Sequence, residues 1–216
     1  VGPIHRVRDV EGLERLIAWM IRDSGQVMRA SEATAQSGTS RQNLPSWERA
    51  VLDTRLVWQL PVHPRSTRKR VRVRPKLYAV DPGLVTALTP GGYRSDDGKF
   101  RGRLVETTCA QALRTYAERV GGELGYLELG RGEVDFALEL QGRVLLMEAT
   151  AGARSSKKVG PLATVAASLP DCDWAAVVAH VPTGTVHPHD DGRPPIVPLH
   201  ELLLALSPGA EVPLPW

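Results

Sequence analysis

Long apolar runs are missing from this chain. Runs such as "VLLM" at 144–147 and "LLLAL" at 202–206 fall far short of the roughly 20 residues that a membrane-spanning helix needs. The N-terminus shows no signal-peptide pattern, so neither membrane insertion nor export is expected. Cysteine is also scarce. Cys109 and Cys172 have neither C-x-x-C spacing nor the density of a disulfide scaffold, which points to a reducing cytoplasm. A phosphate-binding loop is lacking as well. "GGYRSDDGKF" at 91–100 comes nearest to a Walker A motif, but its glycine spacing is wrong and Phe100 follows Lys99 where Ser or Thr is required, so ATP binding is not expected. No Ser-His-Asp pattern stands out. The first residue is Val1 rather than Met, and a processed or excised piece of a longer protein is expected.

What is present is enough for a real core, since 42% of 216 residues are hydrophobic, a size that suits one domain or two small ones. Charge divides the chain. Residues 1–80 hold 15 Lys/Arg against 7 Asp/Glu, and residues 81–216 hold 12 against 17, a basic front and an acidic back. The turn signal "DPGL" at 81–84 and the glycine-rich "TPGGYRSDDGKFRG" at 89–102 place a boundary between about 78 and 102. The expected division is a front domain over 1–80, a linker over 81–101 and a back domain over 102–216.

In the front, Leu13, Leu16, Ile17, Met20 and Ile21 recur at helical spacing before Gly25, an amphipathic helix with a stop signal. "RASEATAQSGTSRQNLPSWERAVLDTRLV" then reads as a short helix, a Ser-Gly-Thr turn and a second helix capped by Ser40 or Ser46, with Trp47, Val51 and Leu52 inward. Pro45 fits a first turn and not a helix middle. Two helices about a glycine turn form the helix-turn-helix pattern. "LVWQLPV" and "RVRVRPKLYAV" follow as strands, and between Arg65 and Lys76 stand seven Lys/Arg and no acid. A basic hairpin behind a helix-turn-helix predicts a winged helix whose wing meets phosphates. The nucleic-acid-binding candidates are Arg41, Arg65, Arg68, Lys69, Arg70, Arg72 and Arg74. A solvated loop is the alternative reading of the basic run, and winged helices also dock proteins.

In the back, "GRLVETTCAQALRTYAERVGG" forms one helical stripe through Leu104, Val105, Cys109, Ala112, Leu113 and Tyr116, with Glu106 beside it. "ELGYLELG", "EVDFALEL" and "RVLLMEAT" read as strands, the second alternating strictly, with Val134, Phe136, Leu138 and Leu140 on one face and Glu133, Asp135 and Glu139 on the other. "KKVGPLATVAASLP" predicts a helix, "DWAAVVAHV" a strand and "PLHELLLALS" a last helix. Glu148, near the end of an almost wholly apolar strand, needs a partner, because a buried carboxylate is costly unless paired or protonated. Glu106, Asp135 and Glu148, expected to converge, are the arrangement that gathers Mg²⁺. His187, His189, Asp190 and Asp191 read as an incidental loop cluster.

The spacing of Glu106, "EVDF" with Asp135, and Glu148-Ala149-Thr150 resembles the PD-(D/E)xK nuclease superfamily, whose last motif is normally Glu-x-Lys. More closely, "PKLYAVDPGLVTAL", "GRLVE", "GEVDFALE" and the strand ending in Glu148 resemble the C-terminal domain of unknown function of prokaryotic AAA-type ATPases. That resemblance covers about residues 5–182. It implies an α/β, mixed α+β chain: a winged helix followed by a nuclease-like αβββαβ domain, with an ATPase module preceding the winged helix. It also implies Glu106, Asp135 and Glu148 as catalytic acids and Asp135 and Glu148 as Mg²⁺ ligands. Thr150 stands where the resemblance calls for lysine, and its neutral hydroxyl is poorly suited to stabilise transition-state charge. Lys157, Lys158 and Arg154 lie just downstream and could reach back.

The expected function is therefore a DNA-binding or interaction module with a degenerate nuclease-like domain, partnered by an AAA-type ATPase or another protein. The alternative is an active Mg²⁺-dependent DNA endonuclease with Lys157 or Lys158 as a displaced catalytic lysine. A winged-helix transcription regulator is a third reading. Mg²⁺ is expected only if the site is active. DNA, the ATPase module and a second copy of the chain are the expected partners, and a membrane is not.

Overall fold

The computed structural model describes residues 9–66, 74–129, 132–152, 155–181 and 193–209. Within them the chain is mixed α+β, with seven α-helices and two sheets. No helix among the described residues is long and apolar enough to cross a membrane.

The front unit opens with α1 (Val10–Arg22), capped by the Asp9 carboxylate, which accepts from the Gly12 amide at 2.8 Å. A two-residue strand β1 (Gln26–Val27) leads to α2 (Ala30–Ser37), a turn starting at left-handed Gly38, and α3 (Leu44–Asp53). Helix α3 starts at neither serine expected to cap it. Asn43 is the boundary residue and makes no side-chain cap bond, while Pro45 lies in the first turn, where its missing N–H costs nothing. Strands β2 (Val57–Leu60) and β3 (Lys76–Ala79) complete an antiparallel sheet of order β1-β3-β2. Leu16, Met20, Trp47, Val51 and Leu77 share the core of this unit. Leu52, expected inward with them, is half-buried.

The stretch expected as a linker carries structure of its own. Asp81 caps α4 (Pro82–Leu88), accepting from the Gly83 amide at 2.6 Å, with Pro82 in the first turn. The "DPGL" signal is thus a helix start, because an N-cap aspartate followed by proline prepares a first turn as readily as a bend. Val85 of α4 is fully buried in the front core. Helix α5 (Gly98–Val120) then runs through both halves: Phe100 packs in the front core, whereas Val105, Cys109 and Leu113 pack in the back core.

The back sheet has five strands in the order β4 (Glu123–Leu129), β5 (Gly132–Leu140), β6 (Arg143–Thr150), β7 (Cys172–Ala179) and β8 (Ile196–Pro198). The first two pairings are antiparallel and the last two parallel. Helices α6 (Ser155–Ala167) and α7 (Leu199–Leu206) flank it. Both faces are covered, so β6 is buried from Val144 to Thr150, which explains its near-continuous apolar run.

The strict alternation expected of β5 breaks near Asp135. Gly125 pairs with Ala137 but Leu127 with Val134, so β5 carries one extra residue there. Val134 consequently joins the cluster of Ala137, Leu146 and Leu162, while Phe136 and Leu138 join that of Val105 and Leu113. A bulge bends its strand and re-aims side chains, and here it lies at Asp135.

The two sheets touch. Tyr126 donates its amide to Pro61 O at 3.0 Å, and His63 donates its amide to Tyr126 O at 2.7 Å. A Cβ on Gly125 would stand 2.8 Å from the His63 nitrogen, so only glycine permits this approach.

Candidate functional site

Three elements bring the acids together. Glu106 comes from the first half of α5, Asp135 from the bulged part of β5, and Glu148 from the end of β6. Two lysines join them. Lys158, in the first turns of α6, places its Nζ 3.0 Å from Asp135 Oδ2, 2.5 Å from Glu148 Oε2 and 2.9 Å from the Ala149 carbonyl oxygen. Lys76, the first residue of β3, crosses from the front sheet. Its Nζ lies 2.6 Å from Glu133 Oε1, 3.5 Å from Asp135 Oδ1 and 3.7 Å from Glu106 Oε1. Asp135 thus stands between two ammonium groups and also accepts the Ala149 amide at 3.0 Å. Tyr78 donates its hydroxyl to Glu106 at 2.7 Å.

Of the downstream cations expected near the site, Lys158 is the one whose ammonium meets Asp135 and Glu148. Lys157, one residue earlier, is exposed on the rim of an open cleft that Lys76, Glu106 and Lys158 also line. Arg154 lies outside the described residues, as do His187, His189, Asp190 and Asp191. Lys76 was missed, because in the sequence it ends the basic run and reads as one more solvent-facing cation. The buried aspartate 59 residues away that engages it leaves no local mark.

The basic candidates divide. Arg65 bonds Glu139 at 3.0 and 3.2 Å and Asp171 at 2.5 Å, tying the loop after β2 to the back sheet rather than facing outward alone. Arg74 reaches the Met28 carbonyl at 3.4 Å. Arg41 is exposed in the turn before α3, and Arg68, Lys69, Arg70 and Arg72 lie outside the described residues.

Burial and crowding set the electrostatics. Burial, then the neighbouring Asp135 charge, push Glu148 up to about 8 and Glu106 up to about 7. Burial opposes ionisation of Asp135 too, but Lys76, Lys158 and the Ala149 amide outweigh it and hold the carboxyl below its ordinary value. Burial likewise opposes the charge on both lysines. Asp135 and Glu106 around Lys76, and Asp135 and Glu148 around Lys158, keep them protonated.

A pH dependence of stability follows from Glu106. A carboxyl raised from 4.5 to about 7 on folding binds its proton more tightly in the native state. Its contribution is present below about pH 4.5 and is lost as pH rises through 7, at up to ~1.4 kcal/mol per pH unit for one proton. Urea unfolding at pH 5.5 and 8.5 should show a loss for the wild type that is smaller in Glu106→Gln. Equal losses in the two proteins would exclude Glu106 as the source.

Mg²⁺, implied by the resemblance, can be tested against the donors. Asp135 Oδ2, Glu148 Oε2 and Ala149 O converge on one point, now taken by the Lys158 ammonium. Oxygen-only donors suit a hard divalent cation. The residues therefore fit, provided that Lys158 yields that point. Among the described residues no group of three or more His, Cys, Asp or Glu side chains is disposed to hold a metal, so the fitting set is two carboxylates and a carbonyl.

Residues 1–95 match the family model of a domain of unknown function, DUF8612. That match includes Lys76 but stops short of Glu106, Asp135, Glu148 and Lys158. No curated protein and no solved structure matches the chain.

Proposed function

We propose that the chain is a nucleic-acid-binding protein with a Mg²⁺-dependent phosphodiesterase site at Asp135, Glu148 and Lys158. The observation that carries this reading is the Lys158 ammonium within 3.0 Å of both carboxylates. It supplies from α6 the charge that Thr150 does not supply from β6. The mixed sheet with β6 and β7 parallel, flanked by α5 and α6, fits a PD-(D/E)xK-like unit. The order α1, β1, α2, α3, β2, β3 fits a winged helix, with the exposed Arg41 in the turn before α3 as a phosphate contact.

In this reading the chemistry that Mg²⁺ would supply, when bound, is polarisation of the scissile phosphodiester and easier deprotonation of water. Asp135, Glu148 and the Ala149 carbonyl would hold it. Lys158, displaced from their shared point, turns its ammonium to the charge developing on the phosphate oxygens. Glu106, poised near neutrality, takes a proton from the attacking water. Lys76 keeps Asp135 ionised. An AAA-type ATPase module is the further partner to test.

A binding module without turnover is the second reading. Its support is that Lys76 and Lys158 already pair the acids, so the cluster is not short of internal cations. Plasmid nicking with Mg²⁺ separates the two. The wild type should nick and Asp135→Asn should not; a folded wild type that leaves the plasmid intact would sink the phosphodiesterase reading in favour of the binding module.

A further inference from the structure

A knot of buried polar groups joins the front unit to α5 beside Glu106. The Ser24 hydroxyl meets the Thr107 hydroxyl at 2.8 Å and accepts the Ala79 amide at 3.0 Å. Tyr78, one residue earlier on β3, donates its hydroxyl to Glu106 Oε1 at 2.7 Å. Ser24, Thr107 and Tyr78 are fully buried. Buried polar groups need partners inside the protein, and these find theirs at the seam between β3 and α5. Gly25 closes the same seam. Its φ of +87° is left-handed, and a Cβ there would stand 2.9 Å from Glu106 Oε1 and 3.3 Å from Oε2, so the carboxylate lies against bare backbone that any side chain would cover.

The two oxygens of Glu106 are not equivalent. Oε1 takes the Tyr78 hydroxyl and has the Lys76 ammonium 3.7 Å away. Oε2 has no hydrogen-bond partner among the described residues, and Glu106 lines the open cleft. One oxygen is gripped and the other is left to act. The grip itself is rigid. The Tyr78 ring stacks on Trp58 at 5.4 Å between ring centres and lies 6.0 Å from Phe136, so the hydroxyl cannot swing away. Burial keeps that hydroxyl protonated well above its ordinary value of 10, which makes it a donor at every working pH.

We propose that Tyr78 is the positioning residue for Glu106: its hydroxyl fixes Oε1, with the Gly25 backbone behind the carboxylate, and leaves Oε2 to take the proton. A side chain of the front unit thereby sets the base of a site whose acids belong to the back unit. The role of Glu106 as proton acceptor rests on the phosphodiesterase reading; the hold of Tyr78 on its carboxylate does not. A hydrogen bond given to the charged form of a carboxyl favours that form, so without it Glu106 keeps its proton to higher pH. The charges facing Glu106 are Asp135 from β5, which opposes its ionisation, and Lys76 from β3 and Lys158 from α6, which favour it. Asp23, before β1, faces Arg103 at 3.7 Å. Tyr78→Phe alters none of these and keeps the ring between Trp58 and Phe136.

The test compares the wild-type chain with Tyr78→Phe and Tyr78→3-fluorotyrosine. The fluorinated ring has a more acidic hydroxyl and is a stronger donor, and it replaces a single hydrogen, so it serves even if the phenylalanine variant fails to fold. Carboxyl ¹³C NMR of glutamate-labelled protein in EDTA follows the Glu106 proton without turnover, its signal assigned by its loss in Glu106→Gln. Tyr78→Phe should move the Glu106 titration upward by about 1–2 pH units, the worth of one hydrogen bond to a charged group, and Tyr78→3-fluorotyrosine should move it downward. The acidic limb of the pH–rate profile for Mg²⁺-dependent plasmid nicking should move in the same directions, with KM unchanged and the Tyr78→Phe rate returning to the wild-type level at high pH. A merely structural tyrosine would lower the rate at every pH and move neither midpoint. A Glu106 titration that stays in place in the folded variants overturns the proposal. If the titration moves as expected but plasmid is never nicked, the phosphodiesterase reading fails and the positioning stands. If the wild type nicks while neither the titration nor the limb moves, the reading stands and the positioning fails.

Discussion

Lys76→Met is expected to lower unfolding free energy at pH 7.5 by about 3–5 kcal/mol, the range for removing one partner of a buried ion pair. The Lys76 side chain is 5% exposed, and three carboxylates lie within 3.7 Å of its Nζ. Methionine preserves the stem volume but removes the charge. Asp135 would then keep one ammonium, that of Lys158, beside the Ala149 amide, and Glu106 would keep the Tyr78 hydroxyl. The acids can escape by binding protons, so the loss should shrink at pH 5.5. Adding Glu106→Gln should recover part of it, because one of the stranded charges is gone. Equilibrium urea unfolding at both pH values measures these terms. A loss below about 1 kcal/mol at pH 7.5, where surface pairs fall, would show that the ammonium does not hold the two sheets together.

The largest expected effect on activity concerns Lys158. Lys158→Ala should reduce Mg²⁺-dependent nicking by about 10²–10³-fold, comparable with losing one preorganised donor to a developing charge. Thr150→Lys in that background should restore at least tenfold of it. Residues 148 and 150 share a strand face because side chains repeat with period two, and Thr150 lines the same cleft as Lys158. The vacated space and the two carboxylates offset the burial cost of the new ammonium. Thr150→Lys alone should gain nothing, since two ammonium groups would then compete for one pair of acids. Circular dichroism of each variant establishes that it is folded. Cutting at the wild-type rate by Lys158→Ala would remove this lysine from the chemistry.

Much of this architecture was legible locally. The stripe through Val105, Cys109 and Leu113 marked α5, and the apolar run ending at Glu148 marked a strand. Glu148 announced a partner by its position alone, because a carboxylate on a buried strand requires a neighbour. Lys158 was within view as one of a few downstream cations, since it follows Glu148 by only ten residues. The choice between Lys157 and Lys158 was not in view. It depends on which side of α6 faces β6, and that is set by how the helix docks on the sheet.

Other features left no local signature. Periodicity assumes an uninterrupted strand, so the extra residue in β5 that regroups Val134 with Ala137 was invisible, and with it the aim of Asp135. Arg65 read as a phosphate contact until the fold placed Glu139 and Asp171, 74 and 106 residues away, against it. The sequence by itself determined which residues are acids, which segments are helices or strands, and that Glu148 must be neutralised, because those follow from side-chain chemistry and short-range periodicity. Only the tertiary structure decided that a lysine from the basic front strand enters the acidic back site. The reason is physical: a buried charge is satisfied by whatever opposite charge the packing of distant elements delivers, and that distance in space has no counterpart in distance along the chain.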